Sequence, residues 1–278
     1  RGFSISQLSI KSKILGGTMA LDYQLSTSAV KEIALEFENK TAKETIEWFV
    51  HTFRSTGALV TSFQIEGMVI LDLAQQIDPS IRVLTIDTGR LPEETYSLID
   101  RVRDRYNIDV EVIFPNQKDL QELTENHGIN PFYRSVALRL ACCNIRKVLP
   151  MGQALKNLNG WMTGIRRNQS GTRADVKKIE IDYKHEQKIK INPLADWTQS
   201  QVWTYIKDKE IPYSDLYDRG YTSIGCAPCT RPTDGNEDPR AGRWWWEKGV
   251  PKECGIHVTV DGVNAIKDID LEGKPKKS

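Results

Sequence analysis

Apolar positions first recur with helical spacing after Thr41. In "TAKETIEWFVHTFRS", Ile46, Phe49, Val50 and Phe53 fall on one face, and Thr41 with Glu44 forms a capping box. The pattern then shifts to short, β-branched apolar runs between helical stretches. "ALVTSF" predicts a buried strand, "EGMVILDLAQQ" a helix and "IRVLTID" a second strand. Pro92 is placed to open the helix "PEETYSLIDRVRDRY", where a missing N–H is tolerated. "DVEVIF" predicts a third strand, and "WMTGI" a fourth after the helix that carries Cys142 and Cys143. Thr198 and Gln201 form a second capping box ahead of "VWTYIKDK". No internal repeat is visible.

Strands that alternate with helices predict an α/β fold, a mostly parallel sheet with helices on both faces. Such sheets bind ligands outside the carboxyl ends of their strands. The residues at those ends are Ser62, Phe63 and Gln64; Asp87, Thr88, Gly89 and Arg90; Pro115 and Asn116; and Gly164, Ile165, Arg166 and Arg167. Arginine forks and backbone amides suit phosphate or sulfate groups. One polar loop of this kind is ordinary. Three that carry anion-binding chemistry point to an anionic ligand.

Composition narrows the class. The chain has 278 residues, 39% hydrophobic and 27% charged, which fits a soluble globular protein. A net charge of +1 offers no global attraction for nucleic acid or an anionic membrane, and no apolar run is long enough to span a bilayer. A cytoplasmic setting is expected. Residues 1–18 hold no acid and no methionine, so they read as a transit-like remnant or a vector-derived leader with Met19 as the natural start. They are expected to be disordered. Residues 19–257 are expected to form one domain, and 258–278, poor in large apolar residues, a mobile tail.

The five cysteines are Cys142 and Cys143, Cys226 and Cys229, and Cys254 alone. An odd count in a chain of this length is not a secreted disulfide scaffold. Neighbouring cysteines bridge only through a strained ring. The C-x-x-C in "YTSIGCAPCTRP" is by itself ambiguous among zinc, iron–sulfur and redox use, and no thioredoxin pattern surrounds it. With the adjacent pair the count reaches four thiolates, the complement of a 4Fe-4S cluster or a zinc site. Adjacent helical residues point about 100° apart, so they converge poorly on one ion but can each serve a different iron.

"CCNIRK", "SIGCAPCT", "GRWWWE" and "KECGIH" together resemble the assimilatory adenylylsulfate (APS) reductases. These are relatives of the phosphoadenylylsulfate (PAPS) reductases within the adenine-nucleotide α-hydrolase-like fold. The resemblance runs from about Thr41 to His257. It implies that Cys142, Cys143, Cys226 and Cys229 hold one 4Fe-4S cluster. PAPS reductases generally lack that quartet, so its presence implies APS as substrate. It implies Cys254 as nucleophile, in agreement with its being the cysteine left over. Lys252 and His257 flank it, and nearby positive charge favours the thiolate. Gly255 gives the segment freedom to swing. His257 is carried into the catalytic set.

The resemblance further implies Lys147 between cluster and substrate. Lys147 lies one helical turn beyond Cys143, so its ammonium can point along the same side. Arg240 and Arg243 resemble phosphosulfate-binding arginines. Arg166 and Arg167 match another substrate-contacting segment, with Gln169 and Arg173 nearby. Trp244, Trp245 and Trp246 read as packing for a lid. Related ATP pyrophosphatases carry Ser-Gly-Gly-x-Asp-Ser where this chain has "SFQIEG". Phe63 and Gln64 replace the two glycines, which makes close backbone approach to a pyrophosphate harder and counts against an ATP-hydrolysing ligase. The expected activity is reduction of APS to sulfite and AMP with a separate thioredoxin as donor. The rivals are a PAPS reductase with a retained cluster and a nucleotide-binding protein with structural zinc. A homo-oligomer is compatible with all three.

Overall fold

The computed structural model describes residues 9–15, 18–24, 26–249 and 252. The tail expected over 258–278 lies outside the described residues. Eight strands and eight α-helices are described: β1 (Ser9–Leu15), β2 (Thr18–Gln24), α1 (Thr27–Phe37), α2 (Ala42–Phe53), β3 (Gly57–Val60), α3 (Ile65–Ile77), β4 (Arg82–Ile86), α4 (Glu93–Tyr106), β5 (Val110–Ile113), α5 (Gln117–His127), α6 (Val136–Cys143), α7 (Leu149–Leu155), β6 (Gly160–Met162), β7 (Ile179–Asp182), β8 (Lys188–Ile191) and α8 (Gln199–Asp208). Strands β1 and β2 pair antiparallel; Ser9–Leu15 lies within the stretch read from sequence as a leader. The other six strands form one mostly parallel sheet in the order β5-β4-β3-β6-β8-β7. β3 pairs parallel with β6 and β6 with β8, while β7 runs antiparallel to β8 at the edge. The expected α/β architecture, with its four strands and intervening helices, is present.

Both capping boxes form, with Thr41 and Thr198 accepting from the third residue of their helices. Pro92 stands one position earlier than expected, as the N-cap of α4, with extended ψ of 149°. The sequence reading passed over α1, α5, β7 and β8. The last two are four-residue strands, "IEID" and "KIKI", too short to stand out as a period-two pattern.

The chain divides into two compact units, one of residues 1–60, 65–83 and 157–211, the other of 61–64, 84–156 and 212–278. In the first, Ile46, Phe49, Val50 and Phe53 of α2 are all buried, as their spacing predicts. Gly57 of β3 and Gly160 of β6 stand opposite each other. A Cβ on either would fall within about 3 Å of Phe49 or Phe53 side-chain carbons, so these glycines let the aromatic face of α2 lie on the sheet. In the second unit, Leu98, Ile99 and Val102 of α4 are buried, and a separate buried cluster joins Leu123, Phe132 and Trp244 to four cysteines. Among the described residues no helix is long and apolar enough to cross a membrane.

Candidate active site

Ser135 caps α6, which ends at Cys143. Residues Asn144–Val148 then form a π-helix before α7. Pro150 in the first turn of α7 explains the change. Proline has no N–H for the carbonyl four residues back and its ring crowds that carbonyl, so the turn widens. Such widened turns are frequent at functional sites. Here the turn carries Arg146 and Lys147 onto the pocket that Cys142 and Cys143 also line.

The opposite wall is the turn at Cys226–Cys229. Its backbone is held from several directions. Ala227 N donates to Arg90 O at 2.8 Å, Tyr133 Oη to Pro228 O at 2.9 Å, Thr230 Oγ1 to Cys226 O at 2.9 Å and Trp244 N to Cys229 O at 3.2 Å. The result places all four cysteines, each buried, on one pocket with Arg90, Phe132, Arg139, Arg146, Lys147, Arg243 and Trp244. Four thiols thus meet five basic side chains within one compact unit. Arg139 is spent on Glu247, with Nε and Nη2 bonded to its two carboxylate oxygens at 3.0 and 2.8 Å. Arg146 Nη1 donates to Thr88 O at 2.5 Å, while its buried Nε has no hydrogen-bond partner.

Burial pushes the Cys142 thiol up, opposed chiefly by the Arg146 charge. Cys229 is pushed up to about 12 by burial and by Cys226, opposed by Lys147 and Arg243. Thiols held neutral this strongly are poor nucleophiles. Among the described residues no three His, Cys, Asp or Glu side chains are set to hold a single metal ion.

The strand-end residues sort by unit. In the second unit, Asp87 accepts from Gly89 N at 2.7 Å and from Tyr96 Oη at 2.8 Å. Gly89 has φ of +67°, a conformation that suits glycine. Thr88 Oγ1 lies 3.3 Å from Cys226 Sγ, and Arg90 reaches Asn130 Oδ1 and Ile129 O at 2.8 and 2.6 Å. Gln64 bonds Ser62 Oγ and accepts from Ile224 N, both at 3.0 Å. Phe63 keeps a left-handed φ of +55° although it is not glycine, and its ring is buried. The loop therefore retains a glycine-like backbone where related loops have glycine. Arg243 is buried, donates weakly to Ser223 Oγ and Ile224 O at 3.4 and 3.3 Å, and leaves Nε without a hydrogen-bond partner. Arg240 donates through Nε and Nη2 to Lys252 O, at 2.9 and 2.6 Å.

In the first unit, Gly164 packs against Glu66, where a Cβ would clash at 2.8 Å. Arg166 is buried and bonded through Nε and Nη2 to Glu66 Oε1, at 3.0 and 2.7 Å. Arg167 pairs with Glu38 at 2.5 Å. Gln169 accepts from Arg166 N and from Arg173. These arginines have carboxylate or carbonyl partners within their own unit. Cys254 and His257 lie outside the described residues.

The sequence model of the phosphoadenosine phosphosulfate reductase domain matches residues 56–232, which include all four pocket cysteines. The chain belongs to that reductase family. Adenosine 5'-phosphosulfate reductase from Burkholderia cepacia is 46% identical over 200 residues, covering 72% of this chain and 80% of the relative. Its counterpart from Neisseria meningitidis serogroup B is 40% identical over 227 residues, covering 81% and 92%. The crystal structure of phosphoadenylyl-sulfate reductase from Candida auris, a phosphate complex, superposes with a TM-score of 0.65 at 29% identity, covering 75% of this chain and 98% of that one. An FMN adenylyltransferase from Candida glabrata shares the fold alone, with a TM-score of 0.50 at 14% identity over 88% of this chain and 83% of that one. The chain is an oxidoreductase by family membership.

Several residues in and around the thiol pocket went unremarked in the sequence. Arg146, Arg139 and Glu247 look like solvated charges there, and Tyr96 like an ordinary helix residue. The one available signal was Pro150, which breaks the helical ladder beside Arg146. The tryptophans read as a lid also separate: Trp244 is 1% exposed in the pocket wall, whereas Trp245 is 39% exposed.

Proposed function

We propose that the chain is a thioredoxin-dependent adenylylsulfate reductase of assimilatory sulfate reduction. The observation that carries the reading is the convergence of Cys142, Cys143, Cys226 and Cys229 with Arg146, Lys147 and Arg243 on one pocket. The relatives at 40–46% identity that bear the name adenosine 5'-phosphosulfate reductase support APS as substrate.

In this reading the Cys254 thiolate attacks the sulfate sulfur of APS. An S–S bond forms, the S–O bond to the phosphate breaks, and AMP leaves with the electron pair. A thioredoxin thiolate then attacks Cys254 Sγ and sulfite departs. The second thioredoxin thiol resolves the mixed disulfide, so the dithiol is oxidised as S(VI) becomes S(IV). Lys147 and Arg243 stabilise the anionic group being transferred. His257 and Lys252 supply positive charge that favours the Cys254 thiolate.

The pocket fits a 4Fe-4S cluster. Its donor set is four buried thiols, and the nearby buried Arg146 and Arg243 carry nitrogens without hydrogen-bond partners. Cys142, Cys143, Cys226 and Cys229 would hold the cluster, which when bound supplies a net-negative centre that ties α6 to the C-x-x-C turn. The reducing conditions that thioredoxin chemistry needs suit the cytoplasm.

The test is sulfite release measured side by side with APS and PAPS. A strong kcat/KM preference for APS is expected. Equal or better kcat/KM with PAPS overturns the substrate assignment in favour of the 3'-phosphorylated nucleotide.

A further inference from the structure

Glu247 is a buried carboxylate with no part in the reaction just described. It neutralises Arg139 through two hydrogen bonds, and the side chains of the pair are 3% and 1% exposed. The Arg139 guanidinium lies over the Trp244 ring, 4.6 Å from its centroid, and the Arg243 guanidinium lies over the same ring at 4.8 Å. Trp244 is clamped in turn. Its backbone N–H donates to Cys229 O, its carbonyl accepts from Glu247 N at 2.9 Å, and its φ is +42°. A bulky residue adopts that conformation only where its surroundings impose it.

Arg243 is otherwise held loosely. Its two hydrogen bonds are long, at 3.4 and 3.3 Å, and its Nε has no hydrogen-bond partner. Gly225 leaves the space its guanidinium fills, since a Cβ there would overlap it. The indole face and the close-packed Gly225 are therefore the restraints beside these long bonds on where this charge stands. Two guanidinium groups on one ring repel unless one is neutralised, and Glu247 neutralises Arg139.

We propose that Glu247 is a positioning residue: through Arg139 and Trp244 it sets where the Arg243 guanidinium stands in the cysteine pocket. The proposal rests on the reading of Arg243 as a ligand of the transferred anionic group. Glu247 bears on Arg243 through the stack, while its charge also acts on Lys252.

Crystal structures of the iron-loaded wild type and of Glu247→Gln read the position directly. Glutamine keeps the shape but removes the charge, so Arg139 loses the carboxylate that neutralises it. The Arg243 guanidinium is expected to leave the Trp244 face, beyond the about 6 Å reach of a cation–π contact. KM for APS is expected to rise about tenfold while kcat falls less, because a binding restraint is lost. Iron content should stay at the wild-type value. In an Arg243→Lys background, Glu247→Gln should add little further to KM, since the route through Arg243 is already broken.

Should Glu247→Gln fail to fold, Arg139→Gln with Glu247→Gln removes both charges and leaves none orphaned. It is expected to fold, hold iron and keep Arg243 on the Trp244 face, since no second guanidinium is left to repel it. Arg243 unmoved or an unchanged KM for APS in folded Glu247→Gln overturns the proposal, and so does a displaced Arg243 in the double variant or an equal further rise in the Arg243→Lys background. A wild type that turns over PAPS better than APS overturns the substrate reading instead, and the position of Arg243 still tests Glu247.

Discussion

The hydroxyl of Thr88 stands 3.3 Å from the sulfur of Cys226, and the same hydroxyl accepts from Arg90 N at 3.2 Å. The loop that follows β4 and the C-x-x-C turn therefore share one hydroxyl, and the strand-end loop singled out for an anionic ligand is also a wall of the thiol pocket. Thr88→Val keeps the volume and removes that hydroxyl. It is expected to cost about 1–3 kcal/mol, the usual penalty for stranding a buried donor. Urea unfolding measures this, and iron loss to a chelator should quicken in the same variant. Unchanged stability and unchanged iron release would show the contact to be incidental.

The two classes of cysteine should fail differently. Cys226→Ser removes one of the four proposed cluster ligands while leaving the backbone bonds of its turn in place, so it should lose iron and, with it, stability. Wild-type protein purified anaerobically is expected to carry about four irons and four inorganic sulfides per chain. Stoichiometric zinc without sulfide would instead support the structural-zinc rival.

Cys254→Ser should keep that iron and still bind APS, yet lose sulfite production almost completely, because a serine hydroxyl without a base is a far weaker nucleophile. Peptide mass spectrometry of wild type mixed with APS alone should find one added sulfonate on the peptide that contains Cys254. Thioredoxin should remove it. A sulfonate on Cys226 or Cys229 would reverse the division between ligands and nucleophile.

Gly225→Ala provides a steric probe of the same pocket. The added methyl overlaps the Arg243 guanidinium, which must move. KM for APS should rise about tenfold with iron content preserved. Steady-state kinetics beside an iron assay separates this outcome from collapse of the C-x-x-C turn, in which both would be lost.

Acid sensitivity should appear in the first unit. Burial alone would raise the Asp182 carboxyl, but the His185 ring at 2.6 Å and Lys190 hold it below its ordinary value of 3.8. A depressed carboxylate contributes stability that is present above the ordinary value and lost as pH falls through the folded-state value. The urea midpoint should therefore drop below about pH 4, and Asp182→Asn should flatten that part of the profile. An unaltered acid limb in the variant would place the sensitivity elsewhere.

Much of this protein is local and was legible from its residues in order. The capping boxes at Thr41 and Thr198, the apolar face of Ile46, Phe49, Val50 and Phe53, and the strand–helix alternation depend on neighbours three or four positions apart. The spacing of the cysteines and the four motifs around them were likewise enough to name the family. Tertiary structure decided how charges are used. Arg166 reads the same as Arg243 in sequence, yet the first is bonded to Glu66, a hundred residues away, and the second is left facing the thiols with a bare Nε. Arg139 and Glu247 lie 108 positions apart and look like surface charges until burial forces them together. A charge takes its role from its partner and its distance from water, and the fold brings in both from remote parts of the chain.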